Sequence, residues 1–406
     1  MSRLGPTIAS LARYRREWQK LSATAARANG TAGHHAPVES RLHAVDGFGS
    51  NPGNLLMRQH RPERLAASPA LVVVLHGCTQ TAAGYDHGTG WSALADRYGF
   101  VAVFPEQQRA NNPNGCFNWF QPDDTARGRG EALSIRQMVA RATSDHGIDP
   151  RRVFVTGLSA GGAMTGVMLA AYPDVFAGGA IVAGLPYGAA GSVQDAFRTM
   201  YESPSRPARE WGNLVRAASS HRGPWPKVSI WHGSADAIVV PSNAGEIVKQ
   251  WTDVHGLPER PAASGVVDGY PRQVWRAADG TELIESYTIT GMAHGTPLAT
   301  SDGEDSLGAA GPFLLEAGIS SSYHIARFWG LTGERMPISG DAGRRPAPAR
   351  PSPVDTPAQG QILLPGPSAP EPDVEETSTG GHAGAKPVDV GAVINRALRA
   401  AGLLKG

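Results

Sequence analysis

The stretch RRVFVTGLSAGG at residues 151–162 constrains the fold more than any other part of the chain. Val153 to Thr156 form a short apolar run, and Gly157 and Gly161 bracket Ser159 in the pattern G-x-S-x-G. A buried strand that turns sharply into a helix at Gly162-Ala163-Met164 needs small residues on both sides of the turn. A serine at the apex then presents its hydroxyl at the carboxyl edge of the sheet. Glycine-rich turns containing serine also occur without chemistry, so the reading depends on whether the chain supplies a base, an acid and an oxyanion hole.

The segments around this turn predict an α/β architecture. Leu71 to Leu75, Phe100 to Phe104, Val153 to Thr156, Ala180 to Ala183 and Val228 to Trp231 read as strands. Trp91 to Tyr98, Arg129 to His146 and Ala163 to Tyr172 read as the helices between them. Continuously apolar strands separated by helices form a mainly parallel central sheet with helices on both faces, because each crossover helix must pack somewhere. Ahead of this core, Arg41 to Val45 and Leu55 to Gln59 flank the turn formers of Asp46 to Gly53, which suggests a hairpin or loop joining two edge strands. Residues 38–335 are therefore expected to be the catalytic domain. Residues 185–226, rich in Gly, Ala, Pro and Ser with one helical stretch around Arg209 to Ala218, are where a lid would sit, with an ordinary surface insertion as the alternative.

The flanks read differently. In residues 1–37 an amphipathic helix carries Ile8, Leu11, Tyr14, Trp18, Leu21 and Ala25 at near-helical spacing, with basic residues outnumbering Glu17, followed by a Gly/His/Ala spacer. Residues 336–387 are dominated by Pro, Ala, Gly and Ser and are expected to be a disordered linker. It leads to 388–406, where Asp389 caps a second amphipathic helix with Val390, Val393, Ile394, Ala397, Leu398, Ala401 and Leu404 on one face. A helix on so long a linker is a docking element for its own catalytic domain, a second subunit or an apolar substrate surface.

Composition narrows the partners. A net charge of +1 over 406 residues gives no whole-protein argument for nucleic acid or an anionic membrane, and no run approaches the roughly 18 apolar residues of a spanning helix. The first thirty residues lack the apolar core of a secretory signal, and Arg15-Arg16 continue into Glu17-Trp18-Gln19-Lys20, unlike a twin-arginine leader, so the cytoplasm is the default expectation. Cys78 and Cys116 have no metal-ligand spacing and are either one bridge or two free thiols.

Acyl transfer by a serine needs a base and an orienting acid, and after this type of turn the acid precedes the histidine. Val228 to Asp236 is an apolar strand opening into a loop, which puts Asp236 at the same sheet edge as Ser159. Of the later histidines, His382 falls in the linker and His255 and His324 in helix-like stretches. His294 lies in a flexible loop directly after the strand Leu283 to Ile289 and is the expected base. The oxyanion hole needs two backbone N–H groups. Ala160 supplies one, and Cys78, in the His76-Gly77-Cys78-Thr79-Gln80 loop, the other. Trp119 and Phe120 are expected to contact substrate, and no metal or organic cofactor is required. A Cys78–Cys116 bridge would rigidify the hole, with two reduced thiols as the rival.

Four segments together resemble the polyhydroxybutyrate depolymerase family of esterases. They are His76-Gly77-Cys78 with Gln80, Cys116-Phe117-Asn118-Trp119-Phe120, Gly157 to Gly162, and His232-Gly233-Ser234-Ala235-Asp236. The resemblance covers roughly residues 40–330. It implies an α/β-hydrolase fold, a Ser159–Asp236–His294 triad, and hydrolysis of poly- or oligo-3-hydroxybutyrate, or of feruloyl and acetyl esters on plant polysaccharide. It also implies an extracellular protein, against the default above. The alternatives of other kinds are a serine peptidase of the same fold, which would normally carry a large extra domain, and a non-catalytic granule-associated protein.

Overall fold

β3 (Leu71–Leu75), β5 (Val153–Leu158) and β6 (Gly178–Val182) are buried at every position, because helices cover both faces of the sheet they build. The computed structural model describes residues 40–301, 303 and 306–333. The N-terminal segment 1–37, the linker 336–387 and the C-terminal helix 388–406 expected from the sequence lie outside the described residues.

The remaining strands are β1 (His43–Val45), β2 (Leu56–His60), β4 (Val101–Glu106), β7 (Lys227–Gly233), β8 (Ala263–Val267), β9 (Tyr270–Arg276) and β10 (Glu282–Ile289), with a separate parallel pair, β11 (Thr296–Leu298) and β12 (Leu314–Glu316). The main sheet has ten strands in the order β1-β2-β4-β3-β5-β6-β7-β10-β9-β8. β4, β3, β5, β6, β7 and β10 run parallel, flanked by the antiparallel pairs β1-β2 and β9-β8. The helices are α1 (Ala82–Thr89), α2 (Trp91–Tyr98), α3 (Pro122–Thr125), α4 (Gly130–His146), α5 (Ala160–Ala171), α6 (Val193–Glu202), α7 (Ala208–Ala217), α8 (Ser242–His255) and α9 (Ser321–Phe328).

From β3 the chain crosses to β4 on one side and then returns to β5 on the other. Connections that leave neighbouring strands in opposite directions open a crevice at their carboxyl ends, the place where open α/β sheets bind ligands. The loops after β3 and β5 carry His76 to Gln80 and Ser159 to that crevice.

Most expected strands and helices are found with their ends shifted by a few residues. Two differences are larger. Leu56–His60 pairs with both β1 and β4, so only β1 is at the edge. The far edge is the β8-β9 hairpin, which the sequence reading left without structure; β8 is mostly exposed, so it lacks the apolar alternation that marks a strand.

Candidate active site

The nucleophile turn is built by close approach. A Cβ on Gly157 would lie 2.5 Å from the Gly161 carbonyl, and one on Gly161 would lie 2.3 Å from the Leu75 carbonyl oxygen, so neither position admits a side chain. Ser159 sits between them at φ 57°, ψ −114°, a conformation that L-residues rarely adopt and that costs on the order of 1–3 kcal/mol. Two hydrogen bonds hold it there: Ser159 N–H donates to Val182 O at 2.9 Å, and Ala163 N–H donates to Ser159 O at 2.8 Å. Its hydroxyl does not cap α5, which leaves it available for chemistry at the positive end of that helix. Every residue of α5 is buried, which its small side chains permit.

Asp236 and His294 are brought together from neighbouring strands. Asp236 follows β7, His294 follows β10, and His294 Nδ1 lies 2.7 Å from Asp236 Oδ2. A carboxylate only accepts, so Nδ1 carries the hydrogen and Nε2 is left with its lone pair. The two loops are laced to each other. Ser234 N–H donates to Ile289 O, Ala235 N–H to Met292 O, and Gly291 N–H to Ser234 Oγ. A Cβ on Gly233 would meet Met292 O at 2.2 Å, so glycine there allows the loops to touch. The other Asp236 oxygen accepts from Ile238 N–H at 2.9 Å and Val239 N–H at 2.8 Å. Burial alone would raise the Asp236 pKa; the His294 charge and hydrogen bonds from His232 and His294 outweigh it and hold the carboxyl well below the usual range. Asp236 and His294 are both buried. His255 ends α8 and bonds Pro226 O, and His324 lies in α9 and bonds Asp268, so both are engaged elsewhere, as their helical setting suggested.

The loop after β3 is shaped from within. Gln107 N–H donates to His76 Nε2 at 3.1 Å, so His76 Nδ1–H donates to Gly77 O at 2.8 Å. Burial lowers the His76 pKa, in keeping with that neutral tautomer. The carbonyl and N–H of a trans peptide point in opposite directions. Fixing Gly77 O on His76 therefore turns the Cys78 N–H the other way. Gln80 Oε1 accepts from Gly77 N–H at 2.8 Å and tightens the same turn. Among the described residues no protein acceptor takes the Cys78 or Ala160 N–H.

Cys78 and Cys116 form a disulfide, so of the two expected alternatives the bridge is the one present. Cys78, Cys116, Trp119 and Phe120 line one cleft together with Ser159 and Ala160. Trp119 and Phe120 meet edge to face, their rings 5.6 Å apart. The cleft has a further wall that the sequence reading missed: Leu185, Ala196 and Met200. Ala196 and Met200 are one turn apart on α6, inside the 185–226 insertion. The signal for α6 was present at Ser192, whose side chain caps the helix by accepting from Asp195 N–H. Also missed was His232, whose Nε2 lies 3.3 Å from Asp236 Oδ2. Among the described residues, no cluster of His, Cys, Asp and Glu could hold a metal ion.

A strained serine at a strand-to-helix turn, with an acid and a histidine after later strands of the same parallel sheet, defines an α/β-hydrolase of the Ser-His-Asp class. Residues 61–268 match the family described as Esterase PHB depolymerase, and the chain belongs to that family of carboxylic ester hydrolases. It is 51% identical over 293 residues to poly(3-hydroxyalkanoate) depolymerase C of Paucimonas lemoignei, spanning 72% of this chain and 70% of that protein. Identity to feruloyl esterase B of Neurospora crassa is 36% over 268 residues, 63% of this chain and 88% of that one. Among solved structures, an acetyl xylan esterase from Aspergillus awamori superimposes with a TM-score of 0.60 at 27% identity, covering 71% of this chain and 99% of that one.

Proposed function

We propose that this chain hydrolyses poly- or oligo-(3-hydroxybutyrate) through an acyl-enzyme on Ser159. His294 Nε2 takes the Ser159 hydroxyl proton as Oγ attacks the ester carbonyl, and Asp236 stabilises the imidazolium through Nδ1–H. The N–H groups of Cys78 and Ala160 hold the oxyanion. As the tetrahedral adduct collapses, His294 returns the proton to the leaving alkoxide. Water then repeats the attack on the acyl group with His294 as base, releasing the acid and Ser159. The observation that carries this chemistry is the 2.7 Å Asp236–His294 bond at the sheet edge that also holds the Ser159 turn. The polyester is favoured by the 51% identity to a poly(3-hydroxyalkanoate) depolymerase, against 36% to feruloyl esterase B of Neurospora crassa and 34% to an acetylxylan esterase of Coprinopsis cinerea.

The Cys78–Cys116 bridge supports an oxidising compartment over the cytoplasm expected from the N-terminal residues. The helix read at 388–406 is assigned to contact with the polymer surface. A second reading, an esterase of feruloyl or acetyl groups on plant polysaccharide, draws on the likeness to the acetyl xylan esterase. The test measures hydrolysis of 3-hydroxybutyrate oligomers and amorphous polymer beside methyl ferulate and acetylated xylan, with Ser159→Ala as control. Turnover of the oligomers, abolished in Ser159→Ala, is expected; activity confined to the plant esters would overturn the polyester assignment and leave the acyl-enzyme chemistry standing.

A further inference from the structure

The cleft beside Ser159 belongs to one side of the scissile bond. In the mechanism above the leaving alkoxide receives its proton from His294, so the alcohol half of the ester must lie on the His294 side of the serine. The residues that line the cleft include both expected oxyanion donors, Cys78 and Ala160, and do not include His294. A carbonyl held by those two amides and attacked by Ser159 therefore sends its acyl chain into this cleft. None of its lining residues is charged, so it takes an uncharged acyl group. Its open room is only about 10 Å³, far below the roughly 300–1,000 Å³ of sites that enclose larger ligands.

The two walls are built differently. Trp119 and Phe120 stand on a loop fixed by the disulfide at Cys116 and by Asn118, whose N–H and Nδ2 both donate to Glu131. The facing wall, Ala196 and Met200, comes from the 185–226 insertion, and that insertion is also tied down. Met200 O accepts from Val240 N–H at 2.8 Å, Thr199 O accepts from Asn243 Nδ2 at 3.0 Å, and Thr199 Oγ1 donates to Ala189 O at 3.1 Å. Val240 continues the loop whose N–H groups hold Asp236. α6 is thus pinned to the acid loop, and side-chain volume at its two inward positions sets the room left for the acyl chain.

We propose that Ala196 and Met200 are specificity-determining residues for the acyl group, restricting the enzyme to short aliphatic acyl chains. The proposal rests on the esterase chemistry proposed above, and on none of its substrate assignment. Alanine at 196 is the smallest side chain on that wall, so it narrows the cleft least. Met200 bounds it with an unbranched side chain that longer or aromatic acyl groups must displace.

The experiment compares kcat/KM of wild type, Ala196→Leu and Met200→Ala on para-nitrophenyl acetate, butyrate and octanoate, which share one leaving group, with unfolding curves to show that each variant folds. Ala196→Leu is expected to lower the butyrate-to-acetate ratio about tenfold, and Met200→Ala to raise the octanoate-to-acetate ratio by a similar factor. A folded pair of variants that scales all three esters by one factor would overturn the proposal. So would a selectivity change that follows the alcohol across ethyl, phenyl and para-nitrophenyl butyrate, because it would place the cleft on the leaving-group side. Size selection on these soluble esters in a wild type inert on polyester would support the acyl assignment and remove only the polymer reading.

Discussion

His232 precedes Asp236 by four residues and approaches the same carboxylate oxygen as His294. Its Nε2 lies 2.8 Å from Val239 O and 3.3 Å from Asp236 Oδ2. Both neighbours accept, so Nε2 carries the hydrogen, and the buried Nδ1 has no hydrogen-bond partner among the described residues. That one hydrogen goes first to Val239 O, and the Asp236 oxygen that meets His294 takes its longer, shared contact. A shared contact of this kind is worth less than a full hydrogen bond to a charged group, at most about 1.5 kcal/mol, which corresponds to a rate effect of up to about tenfold if it is expressed in the transition state. His232→Phe keeps the ring volume and removes the donor. It is expected to lower kcat on a soluble ester by that factor with KM little changed, whereas Asp236→Asn should cost roughly 10⁴ by favouring the wrong His294 tautomer. Steady-state kinetics on folded protein decides: lowered stability with unchanged kcat would make His232 a packing residue alone.

α4 brings a carboxyl into the core next to the site. Glu131 is buried, and its oxygens accept from Asn118 N–H and Nδ2 and from Gln107 Nε2, which also reaches Cys116 O. Since Gln107 N–H holds His76, one carboxyl links the loop that carries Cys78 to the loop that carries Trp119. Burial, with the charge of Asp124 adding to it, pushes the Glu131 pKa from 4.5 up to about 8, against the three donors. A folded-state pKa above the unfolded one means that the native form holds a proton that the unfolded chain has released. Stability then falls as pH rises from 4.5 to about 8, by at most about 1.4 kcal/mol per pH unit. Denaturant titrations at pH 5 and pH 8 should show that fall in the wild type and a flatter profile in Glu131→Gln, which is also expected to loosen the Trp119 loop and lower kcat. Equal pH slopes in the two proteins would remove Glu131 as their source. Nothing in the sequence marks this residue, because a glutamate in the first turn of an amphipathic helix ordinarily faces water. The nucleophile turn was legible because its constraint is local: two glycines that admit no Cβ and an apolar strand before them. The pairing of Asp236 with His294 was legible from chain order and from the strands they follow. Leu185, Ala196 and Met200 were hidden for the opposite reason, since only the folded insertion brings them to Ser159. The two cysteines gave both outcomes equal standing until the loops that carry them were placed side by side.

At the scale of the whole molecule, the described residues that close the core are the last ones. Trp329, just past α9, stacks on Phe154 of β5 with ring centres 4.8 Å apart and on Trp91 of α2 at 5.9 Å. It therefore seals the end of the nucleophile strand opposite Ser159, and Gly178 leaves room for it, since a Cβ there would lie 3.2 Å from Trp329 Nε1. Replacing Trp329 by alanine should cost roughly 3–5 kcal/mol of stability, a large share of what holds a domain folded. A chain ended after Gly333 keeps Trp329 and every residue assigned to the site. It is expected to retain both the wild-type unfolding midpoint and turnover of soluble esters, while a chain ended at Phe328 should fail to fold stably. The same Gly333 truncation separates the site from the docking role assigned to the helix read at 388–406. If polymer turnover drops while soluble-ester turnover holds, the missing residues deliver the enzyme to its surface. If both persist, the described domain captures the polymer by itself, and the cleft between Trp119 and α6 becomes the place to look for the contact.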